Sequence, residues 1–133
     1  MAKGYDQHQE RQARINMLGK QLARRSRSTC ELCGAGDVPL SVFEVTPEQP
    51  EPTADRAIFL CGDCRAPLDN PRLFTPTRWH FLAETVWSDI SAVQVMAVRL
   101  LRRLSGTESW AADALEDLYL DDETEDWIAQ DKL

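Results

Sequence analysis

Apolar positions recur along this chain with two different periods, and the change of period divides it. Between about Tyr5 and Arg25, Ile15, Leu18 and Leu22 fall at i, i+3 and i+7 in a polar stretch without proline, which predicts a helix with one apolar stripe. Ser26, Arg27, Ser28 and Thr29 end it. From Val38 to Val45 the run VPLSVFEV is β-branched and apolar and predicts a strand, with Ala57-Ile58-Phe59-Leu60 as its antiparallel partner. The TPEQPEPTAD between them holds three prolines and reads as a loop, and Asp69-Asn70-Pro71 closes the unit.

Beyond that point the helical period returns. Thr75 is an N-cap candidate with Pro76 at the first helical position, followed by a stripe of Trp79, Leu82 and Val86. A longer helix is predicted from Ser91 to Leu104, with Val93, Met96, Ala97, Leu100 and Leu104 on one face. Arg99, Arg102 and Arg103 lie near its end, where positive charge opposes the helix dipole. Two shorter amphipathic pieces follow, Ser109 to Leu120 and about Asp122 to Gln130. Trp79, Trp87, Trp110 and Trp127 read as core anchors of these helices rather than a ligand-stacking box. The predicted class is α+β, mostly helical, in three units: a basic N-terminal helix (1–29), a β-hairpin unit (30–74) and a bundle of short helices with an acidic end (75–133).

Composition narrows the class without changing it. The chain has 133 residues, 43% hydrophobic and 28% charged, the balance of an ordinary folded domain rather than a disordered one. The first residues lack the apolar run of a signal peptide and no stretch approaches membrane-spanning length, so a cytoplasmic protein without membrane contact is expected. The net charge of −7 is unevenly spread. Seven basic residues stand against Asp6 and Glu10 before Cys30, while ten acidic residues after Gly106 face only Lys132. That acidic end could pair with the basic arm, in the same chain or a neighbouring one.

The chemistry lies in the cysteines. All four fall in two C-x-x-C pairs, Cys30-Glu31-Leu32-Cys33-Gly34 and Cys61-Gly62-Asp63-Cys64. Each pair can present two sulfurs from one tight turn, and two such knuckles joined by a hairpin complete a tetrahedral Zn²⁺ shell, which makes the 30–74 unit a zinc-ribbon or treble-clef-like hairpin by expectation. Gly34 and Gly36 give the first turn its backbone freedom. The alternatives are buried free thiols or two disulfides; a redox C-x-x-C would normally occur once. By softness and spacing the metal is zinc rather than an iron–sulfur cluster, although iron can occupy such a site. Four cysteines leave no open position for water, and His8 and His80 are remote in sequence from both knuckles, so one structural zinc is expected rather than a catalytic one. Arg24, Arg25 and Arg27 are candidates for contact with nucleic-acid phosphates or an acidic partner, or are simply a solvated helix end. No phosphate-binding glycine loop or nucleophile elbow occurs.

From Arg25 to Leu120 the sequence resembles the PhnA family, small bacterial proteins named after a phosphonate-utilisation operon. The residues that carry this are Arg25-Ser26-Arg27-Ser28-Thr29-Cys30-Glu31-Leu32-Cys33-Gly34, Leu60-Cys61-Gly62-Asp63-Cys64, Trp79, the run Val86-Trp87-Ser88-Asp89-Ile90-Ser91-Ala92-Val93-Gln94-Val95, and Tyr119-Leu120-Asp121. The resemblance implies a zinc ribbon on the four cysteines and no established reaction. Longer family members continue into a small β domain, which makes this sequence a shorter member or a piece of a longer chain. The knuckle–strand–loop–knuckle order is also similar to the zinc scaffold of HNH endonucleases. There, however, a histidine pair stands where this chain has Val42-Phe43-Glu44-Val45, and a histidine is common where it has Arg65. Without those bases nothing visible activates water for phosphodiester cleavage. The expectation is a zinc-stabilised binding or adaptor module with a protein partner. The alternatives are a nucleic-acid binder acting through the basic arm and an enzyme of phosphonate metabolism suggested by the family name alone.

Overall fold

The computed structural model describes residues 3–131 and is mixed α+β; Met1, Ala2, Lys132 and Leu133, at the ends of the first and third predicted units, lie outside the described residues. The chain opens with α1 (Lys3–Met17) and α2 (Gly19–Ser26) in place of the single predicted helix. The break is local: Leu18 donates to the Ile15 carbonyl three residues back, a tighter turn than the α-helix makes. Ile15, Leu18 and Leu22 still share a face, because one tightened turn barely rotates the stripe. At the end of α2 the N–H groups of Arg27 and Ser28 bond back to the carbonyls of Arg24 and Ala23. Arg27 takes the left-handed conformation (φ 58°) that this helix stop requires and that glycine usually supplies.

Strands β1 (Leu40–Glu44) and β2 (Ala57–Cys61) form the expected antiparallel hairpin, with Leu40 opposite Cys61 and Glu44 opposite Ala57. Alternation divides their side chains between two faces. Val42, Ala57 and Phe59 pack with Ile15, Leu18 and Leu22 of the arm, whereas Ile58 and Leu60 enter the main core. The hairpin is therefore covered on both sides.

Directly after β2 the chain enters α3 (Gly62–Asp69), a helix the sequence reading did not assign. Glycine at its first position and proline at its sixth, in eight residues, hide it from any periodicity argument. The helix predicted to run from Pro76 is also fragmented. Arg78, Trp79, Leu82, Ala83 and Glu84 donate three residues back, and only α4 (Leu82–Thr85) winds as an α-helix. Thr75 makes no side-chain cap, although Pro76 does occupy the first turn. Residues three apart align in the tighter winding, so Trp79 and Leu82 both remain fully buried.

Helix α5 (Ser91–Leu104) has the predicted bounds but is enclosed around most of its circumference. Val95, Val98 and Leu101 are buried in addition to the expected face. Arg99 is buried too, only 4% exposed, and does not point along the dipole into solvent. It donates to the Thr46 hydroxyl and carbonyl and to the carbonyls of Trp127 and Ile128. α6 (Ser109–Glu116) and α7 (Asp122–Ala129) complete the fold. One core cluster joins Leu32, Ile58 and Leu60 of the hairpin unit to Trp79, Leu82 and the α5 side chains, so the hairpin and the helices after it bury their apolar surface together. Of the four tryptophans, Trp79 is fully buried and Trp110 and Trp127 are half-buried. Trp87 is 57% exposed and is no core anchor.

Candidate metal centre

The two knuckles are built by different means. In the first, Cys30 donates its N–H to the Ala35 carbonyl and accepts from Gly34 N–H, both at 2.9 Å, closing a loop that Gly34 completes at φ +81°. Leu32 points into the core and its carbonyl accepts the Thr85 hydroxyl at 2.6 Å. Glu31 fastens the loop to the free edge of β2: its N–H donates to the Phe59 carbonyl and its carboxylate accepts Phe59 N–H, each at 2.8 Å. The second knuckle is the junction of β2 and α3. Cys61 ends the strand in extended conformation as the residue before the helix, and Cys64 lies in its first turn. The positive end of a helix favours thiolates there.

The four sulfur atoms all lie within 4.8 Å of one another, with Cys33 and Cys61 3.7 Å apart. Four sulfurs about 2.3 Å from a tetrahedral zinc would be about 3.8 Å apart, so the quartet has the dimensions of a metal site. Cys30, Cys61 and Cys64 are buried and Cys33 is half-buried. No disulfide joins them. The Cys64 thiol, hydrogen-bonded to Cys30, pulls the Cys30 thiol down to about 4 against the opposing effect of burial, with backbone N–H groups adding to the pull. The same bond raises Cys64, and burial raises Cys33. Metal entry must therefore displace protons, which makes binding pH-dependent.

No protein-family model, curated protein or solved structure matches the chain.

Beyond the sulfurs, Arg78 is a site residue that the sequence reading missed. It donates from both terminal nitrogens to Cys64 Sγ, at 3.5 and 3.4 Å. Only its place beside the Trp79 of the stripe hinted at burial. The exposed ring of Trp87 lies with Leu32, Cys33, Phe81 and Glu84 along an open groove of about 420 Å³ next to the first knuckle. His80 is exposed and stacked on Trp110, ring centroids 4.1 Å apart.

The three arginines proposed as a contact patch are not equivalent. Arg25 grips Glu31 with two nitrogens at 2.9 and 2.7 Å and donates to the Ala54 and Ala57 carbonyls, so its fork is engaged within the chain. Arg24 and Arg27 are exposed and hold no such partner among the described residues. Further ion pairs tie the arm to the hairpin unit, Arg11 on Glu44 and Arg14 on Glu51, and Arg14 also meets Glu10 within α1. Among the described residues the acidic end does not pair with the arm; its Glu125 meets Arg102 of α5 instead. At the positions compared with HNH enzymes, Glu44 is bound by Arg11, and Arg65 donates to the Val42 carbonyl and the Ser41 hydroxyl.

Proposed function

We propose that this protein is a non-catalytic, zinc-stabilised binding or adaptor module of the PhnA-like type. The observation that carries the reading is a metal-sized quartet made entirely of cysteine sulfurs, which suits Zn²⁺ and leaves it no position for substrate or water. Bound there, zinc would cross-link the two ends of a hairpin that cannot bury a core by itself, and its binding free energy would become folding free energy. The order of knuckle, hairpin and helix supports a treble-clef-like arrangement over a simple ribbon, because α3 supplies Cys64. The positions where a nuclease of this shape would keep its bases hold Glu44, paired with Arg11, and Arg65, paired with Asp69.

Elemental analysis of protein purified without chelator should find about one equivalent of zinc. Less than about half an equivalent would count against the reading, and iron in its place would change the metal but not the role. Phosphate release above background from a phosphonate panel would overturn the non-catalytic assignment and favour the enzyme that the family name suggests.

A second reading, contact with a nucleic-acid backbone, is favoured by one feature. Lys20 and Arg24 stand at i and i+4 on α2 and Arg27 caps its end, and all three are exposed and without an ion-pair partner among the described residues. Three phosphate contacts would give log K a slope against log salt of roughly −2 to −3. Neutralising the three side chains should abolish that slope. Binding to mixed nucleic acids that is unchanged by the triple substitution, or no binding at low salt, would remove this reading.

A further inference from the structure

We infer that Arg78 is a positioning residue for the metal centre: its guanidinium holds Cys64 in place and offsets the negative charge of the four sulfurs. The inference rests on the metal reading given above and adds a residue to it.

Both terminal nitrogens of Arg78 converge on one sulfur, Cys64 Sγ. The guanidinium carbon lies 5.0 Å from the Trp79 ring centroid and 5.4 Å from that of Phe81, so two aromatic faces fix the fork while it points at Cys64 Sγ. Of the arginines around the hairpin, Arg11 has the carboxylate of Glu44, Arg25 that of Glu31 and Arg65 that of Asp69, while Arg56 lies over the Trp127 ring without a carboxylate among the described residues. Arg78, half-buried, likewise has no carboxylate among the described residues, and the group that its fork meets is Cys64 Sγ. Four thiolates around a divalent ion carry a net charge of about −2. A half-buried cation against that cluster is compensated and compensating at once, which explains why a charged side chain is tolerated beside a fully buried tryptophan.

The fork also joins distant parts of the chain. Arg78 belongs to the turn before α4, fourteen residues beyond Cys64, and Thr85 at the end of α4 bonds the first knuckle through Leu32. Segment 74–86 thus touches both knuckles, once through a charge and once through a hydroxyl. Lysine could supply the charge but neither the two-pronged bond nor the planar stacking.

The test uses the full chain, with Co²⁺ as a spectroscopic probe and a competing chromophoric chelator to measure Zn²⁺ affinity. Removing a hydrogen-bond donor from a thiolate makes the sulfur electrons easier to transfer to the metal. Arg78→Met should therefore move the sulfur-to-cobalt charge-transfer bands to lower energy and weaken Zn²⁺ binding by about 10-fold or more. Arg78→Lys should fall between Met and the wild type in both measurements. Arg102→Met, which alters an exposed arginine paired with Glu125, should change neither. If Arg78→Met does not fold, Arg78→Lys decides: a spectrum and affinity equal to wild type would overturn the role of the fork. A tetrahedral cobalt spectrum in the wild type that is unchanged in every Arg78 variant would overturn the inference while leaving the metal site intact. Absence of any cobalt–thiolate spectrum in the wild type would overturn both.

Discussion

The hairpin and helix α5 lie against each other in one core, yet they are held by opposite means. β1 and β2 have five residues each, too few to be stable alone, and they are secured from outside. Cysteine sulfurs bracket their open end, Glu31 extends one edge, and Arg11, Arg25 and Arg65 bind their carboxylates and carbonyls. α5 has fourteen residues, and nine apolar side chains buried along it give it most of its hold. Directional bonds specify where the short element goes; apolar burial supplies the stability it lacks.

On the zinc reading proposed above, the sharpest way to break this contrast is to chelate the metal. Apparent binding free energies of structural zinc are on the order of 10–16 kcal/mol near neutral pH, so chelation should have the largest effect of any treatment. Hydrogen exchange should show amides of β1, β2 and the first knuckle losing protection first and most, while the middle of α5 retains the most. Equal protection in the hairpin with and without chelator would defeat the idea that sulfur ligation holds it.

Leu100→Ala attacks the other side of the comparison. Leu100 is fully buried on α5, and truncating it should cost about 2–5 kcal/mol in urea unfolding. Zinc stoichiometry should stay at its wild-type value, since Leu100 supplies no ligand to the cysteine quartet. A variant that loses its metal at moderate urea, well before α5 unfolds, would show the two regions to be less separable than described.

Arg99 stands between the two modes, a buried cation on the most apolar helix. Arg99→Met keeps much of the stem but leaves the carbonyls of Thr46, Trp127 and Ile128 without this donor. The expected loss is about 1–3 kcal/mol, with α7 loosened more than α5. A thermal midpoint equal to wild type would show that water replaces the guanidinium at no cost.

The smallest effect should come from the cap of α7. Asp121 accepts Thr124 N–H at 2.8 Å, and the hydrogen bonds from Thr124 hold its carboxyl below the ordinary value. A depressed folded-state value means that the contribution is present above the unfolded-state carboxylate range and is lost as pH falls through the folded value. Helical signal from α7 should therefore decline at the acid end of a titration, and Asp121→Ala should remove that step while leaving the hairpin unchanged. An acid transition in α7 identical in wild type and variant would assign it to another group.

Periodicity and spacing reached some elements and not others for identifiable reasons. The Val93-Met96-Ala97-Leu100-Leu104 stripe located α5 to its ends because fourteen helical residues repeat the signal several times. The cysteine pairs were legible because metal ligation needs those residues at that spacing, wherever the chain then runs. α3 was illegible: eight residues with an internal proline carry too little pattern, and tertiary contacts must hold such a helix. The Trp79-Leu82-Val86 stripe was read with the right inward face but the wrong winding, since an i, i+3 pair fits a tighter turn as well as an α-helix.

Charge was the least legible quantity of all. As a string, Arg24, Arg25 and Arg27 form one basic cluster, and Arg99 belongs with Arg102 and Arg103. Folding separates them: Arg25 closes on Glu31, Arg99 disappears beneath α7, and Arg24 and Arg27 remain in solvent.

Two C-x-x-C pairs, a proline loop between β-branched runs and one long amphipathic helix were determined by the sequence itself, because each expresses local geometry or the valence of a metal. Which cation meets which anion was decided only by the tertiary structure. Arg78 reaches back to Cys64 and Arg99 to Thr46 and forward to Trp127, across separations over which side-chain pairing follows from packing and leaves no periodic trace in the chain.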